Sequence, residues 1–250
     1  MSETKERRIW ILGGTSAIAQ AYARHAASAG GTLVLIGRNE DRLQANAADL
    51  AARGGRSAVE VRDLAGPIDR AAVVGELAER HGFPDEVVVA YGILGDQQRA
   101  LGDLGHAQDI LDVNLTSVAL WLLAIATRRD PVRPLTLVII GSVAGDRGRA
   151  SNFVYGAAKG GLDRFVEGMQ HAHAGTALNL VLVKPGFVDT PMTAAFDKTG
   201  PLWASPDRVA RDIRRAVDRR AAVVYAPWFW RYIMMIIRLM PRFLFNRLKI

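Results

Sequence analysis

A single doubly wound α/β domain with a parallel sheet is the fold predicted for this chain, and three observations predict it. A strand-like segment near the start feeds a glycine-rich turn and then a helix. Further apolar runs recur along the chain with helical patterns between them. Those runs are apolar throughout instead of alternating, as strands of a parallel sheet covered on both faces must be. With 250 residues, 50% of them hydrophobic, the chain can bury one large core, and it shows no repeat, low-complexity segment or interdomain linker.

The first strand is expected over Arg8 to Leu12 and the first helix over Gln20 to Ser28, joined by Gly13-Gly14-Thr15-Ser16-Ala17-Ile18-Ala19. Such a turn aims backbone N–H groups and the positive end of a helix at one point, where a pyrophosphate can sit. Ala17 and Ala19 stand where a three-glycine fingerprint has its later glycines. Both are small enough to keep the helix close to the sheet, although Ala17 does not adopt positive φ as readily as glycine. Taken alone, the loop reads equally well as a tight strand-to-helix turn.

Leu33 to Ile36 forms the second strand and ends in Gly37-Arg38-Asn39. An acidic side chain here would bond ribose hydroxyls; Arg38 offers a guanidinium suited to phosphate, or else solvates the turn. Arg42, one helical turn on, either joins it or caps the helix Asp41 to Arg53. Asp63 follows the third strand and, by itself, is an ordinary helix N-terminal acid. The helix Pro67 to His81, the strand Val87 to Ala90 and the helix Ala107 to Arg128 come next, the last holding Asn114. Leu137 to Ile140 closes an apolar run that begins at Leu135, Ser142 follows it, and the helix Ser151 to His173 carries Tyr155 and Lys159. Leu178 to Val183 is a further strand.

Tyr155 and Lys159 lie four residues apart, one helical turn, and so share a helix face. A phenol titrates near pH ~10, and an adjacent ammonium stabilises the phenolate and is expected to draw that value towards working pH. The pair can protonate an alkoxide or deprotonate an alcohol, which is carbonyl reductase or alcohol dehydrogenase chemistry. The spacing alone also fits a packed tyrosine beside a solvated lysine.

Gly13 to Ala19, Asn114, Ser142 in Gly141-Ser142-Val143-Ala144-Gly145, Tyr155, Lys159, and Pro185-Gly186-Phe187-Val188-Asp189-Thr190 together resemble the short-chain dehydrogenase/reductase family over about residues 8 to 215. The resemblance implies a Rossmann-type fold and a catalytic tetrad: Tyr155 as general acid, Lys159 on the nicotinamide ribose, Ser142 polarising the carbonyl, and Asn114 holding a relay water. It also implies a cofactor site drawn from Gly13, Thr15, Ser16, Ala17, Ile18, Arg38, Asp63, Leu64, Ala90, Gly92, Tyr155, Lys159, Pro185, Gly186, Val188 and Thr190. Asp63 would contact the adenine, and Thr190 the carboxamide. With Arg38 at the second strand, NADP(H) is expected ahead of NAD(H). Val89-Ala90-Tyr91-Gly92 departs from the family's Asn-Asn-Ala-Gly, so the backbone there is expected to pack differently against the cofactor. No metal is implied, and a homo-oligomer is the family expectation.

Residues 1–225 are assigned to this domain and 226–250 to a C-terminal amphipathic helical extension. That extension holds Arg231, Arg238, Arg242, Arg247 and Lys249 with no acidic side chain, five of the net +7 charge. At ~100° per residue, Arg231, Arg238, Arg242 and Lys249 share a stripe, and Pro241 is expected to kink or divide the helix. Its uncharged run, Tyr232 to Ile237, is far short of the ~20 residues that cross a bilayer. A basic helix with Trp228, Phe229 and Trp230 suits an anionic membrane interface or a lipid cleft; dimer packing and a lid over the substrate are the alternatives. Basic residues concentrated on an apolar tail argue against nucleic acid. The absence of cysteine and the charged stretch Met1 to Arg8 fit a cytoplasmic location without a secretory signal.

Tyr91 to Asp96, Asp146 to Gly156 and Trp230 to Met235 further resemble the decaprenylphosphoryl-2-keto-pentose reductases. That resemblance implies a lipid-linked sugar substrate, a separate FAD-dependent oxidase partner and a peripheral place on the inner face of the plasma membrane. Arg147 or Arg149 is expected to meet the substrate phosphate. Reduction of another lipid-like ketone, such as a 3-oxoacyl or steroid-like substrate, and a non-catalytic cofactor-sensing or scaffold role stay open.

Overall fold

Strand and helix alternate along the chain in the computed structural model, which describes residues 7–248. The first half runs β1 (Arg8–Leu12), α1 (Ala17–Ser28), β2 (Thr32–Gly37), α2 (Glu40–Ala52), β3 (Arg56–Val61), α3 (Arg70–His81) and β4 (Glu86–Val89). Then come α4 (Gln97–Gly102), α5 (Leu104–Leu111), a π turn (Asp112–Thr116), α6 (Ser117–Arg128), β5 (Leu135–Ile140), α7 (Phe153–Ala172) and β6 (Leu178–Pro185). The chain closes with β7 (Phe187–Val188), β8 (Trp203–Ala204), α8 (Pro206–Asp218), β9 (Val223–Ala226), α9 (Trp230–Leu239) and α10 (Arg242–Phe245).

Seven strands form one sheet in the order β3-β2-β1-β4-β5-β6-β9, every neighbouring pair parallel. The chain winds outward from β1 to β3, then returns to β4 on the other side of β1, which opens a crevice at the carboxyl ends of β1 and β4. Alternate side chains of β1 serve opposite faces: Ile9 and Ile11 join the core under α1 and α8, whereas Trp10 and Leu12 join that under α3 and α6. The central strands are largely apolar for this reason, whereas the edge strand β3 carries Arg56, Ser57 and Glu60. The helical stretch Leu104–Arg128 has the length and apolarity of a membrane span. Burial of Val118, Trp121, Leu122 and Ile125 in the core accounts for that composition.

Boundaries follow the caps. The Asn39 side chain accepts from Arg42 N, and that of Asp69 from Ala72 N, so the third helix starts at Arg70 and not at Pro67. The expected helix Ala107 to Arg128 is interrupted by the π turn around Asn114. The tail divides at Met240-Pro241, as the proline requires. The charged stripe drawn on one continuous helix is therefore not continuous, and Lys249 lies outside the described residues.

Candidate active site

The glycine turn folds as its sequence asks. Gly13 has φ +92°, and a Cβ there would stand 2.6 Å from the Tyr91 backbone nitrogen, so only glycine lets β1 and β4 close here. Gly13 and Gly14 donate to the Ile36 carbonyl, and Ser16 caps α1 without using its side chain. Ala17 is already helical and needs no positive φ. Beyond the turn opens a cleft of about 1070 Å³. All the residues named above for the cofactor, from Gly13 to Thr190, line it, as do Asn114, Ser142 and Arg149; Arg147 does not.

A nicotinamide dinucleotide fits this lining. The floor is bare where a flat ring and ribose need access: a Cβ on Gly92 would stand 2.6 Å from Asn114 Oδ1 and 3.7 Å from Lys159 Nζ. Arg38, exposed just past β2, lines the cleft, as does Arg42, which donates to the Thr15 carbonyl at 3.1 Å. Tyr91, where the family pattern has a small residue, lines the cleft, and its hydroxyl meets Ser117 Oγ at 2.9 Å. Burial raises its phenol pKa well above the ordinary value.

Asn114 is fully buried in the π turn. Its amide donates to the Ile93 and Ile110 carbonyls, each at 2.8 Å, and its Oδ1 accepts from Ile93 N, so both amide hydrogens are used, Oδ1 keeps one acceptor position, and the side chain ties the turn to the β4 loop. Tyr155 and Lys159 stand on one face of α7 with the ammonium 5.8 Å from the ring centre, and Lys159 Nζ donates to the Ile140 carbonyl at 3.0 Å. Burial pushes the Tyr155 phenol up to about 12, against a hydrogen bond from Ser142 that lowers it. Burial also brings Lys159 down to about 8, against the charge of Asp163. This corrects the expectation that the lysine draws the phenol towards neutrality: in this pocket desolvation is the largest cause, the Ser142 hydrogen bond opposes it, and the charge of Asp163 adds to it.

Arg147 is also corrected. Its guanidinium donates to the Ile237 and Met240 carbonyls at the end of α9, the latter at 2.7 Å, and lies 3.8 Å from the Phe245 ring centre. It clamps the tail instead of facing the cleft. Arg149 does face the cleft, half-buried, with its Nε buried and lacking an acceptor among the described residues. The tail itself joins the site: Trp230 and Met234 bury against Val143, and Trp230, Ile233 and Ile237 line the cleft. A Cβ on Gly186 would stand 1.9 Å from Trp230 Nε1, so that glycine exists to seat the indole.

The lipid-cleft and lid readings of the tail agree with Trp230 as a wall of the site, although sequence reasoning did not single that residue out, and it missed a buried charge cluster. Lys184 pairs with Asp146 and with Asp163 Oδ2 at 2.7 Å, and Tyr225 donates to Asp146 at 2.8 Å. The signals were present: Asp163 lies one turn beyond Lys159, and Lys184 is the one charged residue in a mostly apolar strand.

A profile described as short chain dehydrogenase matches residues 7–200. The chain is 39% identical over 251 residues, 99% of each chain, to an uncharacterized oxidoreductase of Mycobacterium tuberculosis. Among solved structures, a short-chain dehydrogenase from Sphingobium yanoikuyae in complex with NADPH matches with a TM-score of 0.80 at 24% identity, over 94% of this chain and 97% of that one. A 3-oxoacyl-[acyl-carrier protein] reductase from Brucella melitensis in complex with NAD matches with a TM-score of 0.77 at 24% identity, over 90% and 98%.

Proposed function

The chain belongs to the short-chain dehydrogenase family and is an NAD(P)-dependent oxidoreductase; from that premise we propose that it reduces the 2-keto group of a polyprenylphosphoryl pentose to the arabinose epimer at a membrane surface. One observation carries this reading above others. A single helix, α9, closes the catalytic cleft with Trp230, Ile233 and Ile237 and turns Tyr232, Met235, Ile236 and Leu239 outward beside exposed Arg231 and Arg238. A wall apolar on the inside and basic-apolar on the outside suits a substrate whose sugar reacts in the cleft while its lipid stays in a bilayer.

When bound, the nicotinamide supplies the hydride. Tyr155, protonated throughout the working range, delivers its proton to the oxygen of the reduced carbonyl. Ser142, one hydrogen bond away from Tyr155, polarises that oxygen beforehand. Lys159 would hold the ribose and Asn114 a relay water, and Arg149, whose Nε lacks an acceptor among the described residues, would receive the substrate phosphate. Arg38, with Arg42 beside it, supports NADP(H) over NAD(H). The reading includes a separate flavin oxidase that makes the ketone, a place on the inner face of the plasma membrane, and a homo-oligomer, which exposed Leu104, Leu111, Leu120 and Leu123 support.

The test is oxidation of NADPH, and separately NADH, by the purified protein with that oxidase and polyprenylphosphoryl ribose in detergent. Consumption of NADPH that depends on the oxidase, yields the arabinose epimer and disappears in Tyr155→Phe is expected. A second reading, reduction of a 3-oxoacyl group, rests on the Brucella relative. No turnover of the lipid-linked sugar alongside reduction of a soluble 3-oxoacyl thioester would replace the first reading with the second. A purely cofactor-binding role is disfavoured by the complete set Asn114, Ser142, Tyr155 and Lys159 in one cleft.

A further inference from the structure

The helix that carries Tyr155 is not capped by its own N-cap side chain. Asn152 stands at that position of α7 with no side-chain hydrogen bond to the helix, and the N–H of Val154 donates instead to Gln97 Oε1 of α4 at 3.0 Å. Val154 precedes Tyr155 by one residue, so the placement of Gln97 bears on the phenol. Gln97 opens α4 and follows Asp96, whose carboxylate caps that helix by accepting from Gln98 N at 2.8 Å and Arg99 N at 3.1 Å. The Asp96 backbone N–H donates to His106 Nε2 on α5 at 3.0 Å. Gly95, with φ +70°, lets the loop pass close: a Cβ there would overlap Ile110 Cδ1 and stand 3.4 Å from His106 Nε2. The loop after β4 is thus held at two points, Ile93 by Asn114 and Asp96 by His106, and its Ile93 and Leu94 line the cleft. Ile93, Leu94, Ala107 and Val154 pack with Ala100, Ile110 and Tyr155 in one apolar cluster.

We propose that His106 is a positioning residue for Tyr155: as a neutral imidazole with its proton on Nδ1, it pins Asp96 and so sets Gln97 against the start of the catalytic helix. A backbone N–H only donates, so Nε2 must present its lone pair; an imidazolium carries a hydrogen on both ring nitrogens and has none to offer. Acid therefore removes the pin. The charged groups around the ring are Asp96 and Arg99 on the α4 side and Asp103 on its own, whose carboxylate accepts from His106 N at 3.0 Å and from Arg99 at 2.9 Å. Among the described residues no charged side chain of α7 or the π turn pairs with it. The inference rests on Tyr155 serving the oxidoreductase reaction, whatever the ketone.

The chain has five histidines, His25, His81, His106, His171 and His173, few enough for nitrogen-15 NMR of the full-length protein to resolve each ring, with His106→Gln identifying its signals. At about pH 8 His106 is expected to show a bare Nε2 and a protonated Nδ1, and towards about pH 5 the Asp96 amide is expected to lose exchange protection in step with that ring. His106→Ala is expected to speed hydrogen exchange at both Asp96 and Val154 at least about fivefold. It should also lower kcat about tenfold, with nucleotide KM unmoved, for whichever ketone the protein reduces, the lipid-linked sugar or the soluble 3-oxoacyl thioester. His106→Gln, which sets an uncharged acceptor oxygen in place of Nε2, is expected to restore kcat and to flatten the acid limb that the wild type shows. His106→Leu serves if the alanine variant loses its near-ultraviolet signature. A proton on Nε2 at about pH 8, wild-type exchange at Asp96 and Val154 in the folded variants, or an unchanged acid limb in His106→Gln would each overturn the proposal. Because ring signals and exchange need neither nucleotide nor ketone, a protein that shows both changes but turns over no carbonyl would support the pin and count against the reductase reading alone.

Discussion

Tyr155 and Lys159 are held at opposite disadvantages by one burial, and the sign of each is testable. Lys159 falls from 10.5 to about 8, so between those values the unfolded chain binds a proton that the folded chain has released. The buried ammonium thus costs stability at neutral pH, and that cost lifts as pH rises through the window. Tyr155 rises from 10.0 to about 12, so its contribution is intact below pH 10 and is lost as pH climbs from there. Lys159→Met is expected to abolish turnover yet raise the melting temperature at pH 7, by a few degrees for a burial cost of up to ~3 kcal/mol. That gain should shrink towards pH 10.5, as calorimetry at both values would show. Tyr155→Phe is expected to lower kcat at least about 100-fold, the lower range for a general acid, while nucleotide affinity measured by fluorescence stays within about twofold. The identities of these residues were legible from motif and spacing. The direction of the phenol shift was not, because spacing records a neighbouring charge but not the water removed around it.

The tail helix shows what an element inherits from residues far away in sequence. Arg147 and Arg149 are indistinguishable as neighbours in a loop, yet one clamps carbonyls at the negative end of α9 and the other faces the cleft. Arg147→Ala is therefore expected to loosen α9 without unfolding the sheet, and limited trypsin digestion should cut at Arg231 and Arg238 several-fold faster than in wild type. Arg149→Ala should leave that rate unchanged. Gly186→Ala pushes a methyl to within 1.9 Å of a rigid indole, and is expected to displace Trp230 at a cost of about 1–3 kcal/mol, visible as lower stability and altered tryptophan emission. Helices and strands with clean periodicity were legible, and so was the break at Pro241. The π turn around Asn114 was not, since nothing in Val113-Asn114-Leu115 departs from helical pattern. Nor was α8, where Val209, Ile213 and Val217 form a thin buried stripe in a segment otherwise full of charge.

Across the whole molecule, the doubly wound order places every site residue at one end of the sheet, and the C-terminal segment then crosses that end. Among the described residues of that segment, Arg231, Arg238, Arg242 and Arg247 are exposed and have no acidic partner, and they alternate with exposed Trp228, Tyr232, Met235, Ile236, Leu239 and Phe243. Free cations and apolar side chains on one surface attract an anionic bilayer by two separable forces: roughly 1 kcal/mol per arginine near the surface, screened by salt, and an apolar part that salt does not weaken. Co-sedimentation with vesicles containing phosphatidylserine is expected at low ionic strength and should fall steeply towards about 0.5 M salt, where the screening length is only a few ångströms. Changing the four arginines to glutamine should abolish that salt-dependent part, while the basal reduction of a short soluble ketone, which never meets the membrane, continues. Trp228→Ala should weaken binding at every salt concentration. Vesicle binding that ignores all five substitutions would instead assign this face to a second copy of the chain, and sedimentation velocity would then show an oligomer that the same substitutions disrupt.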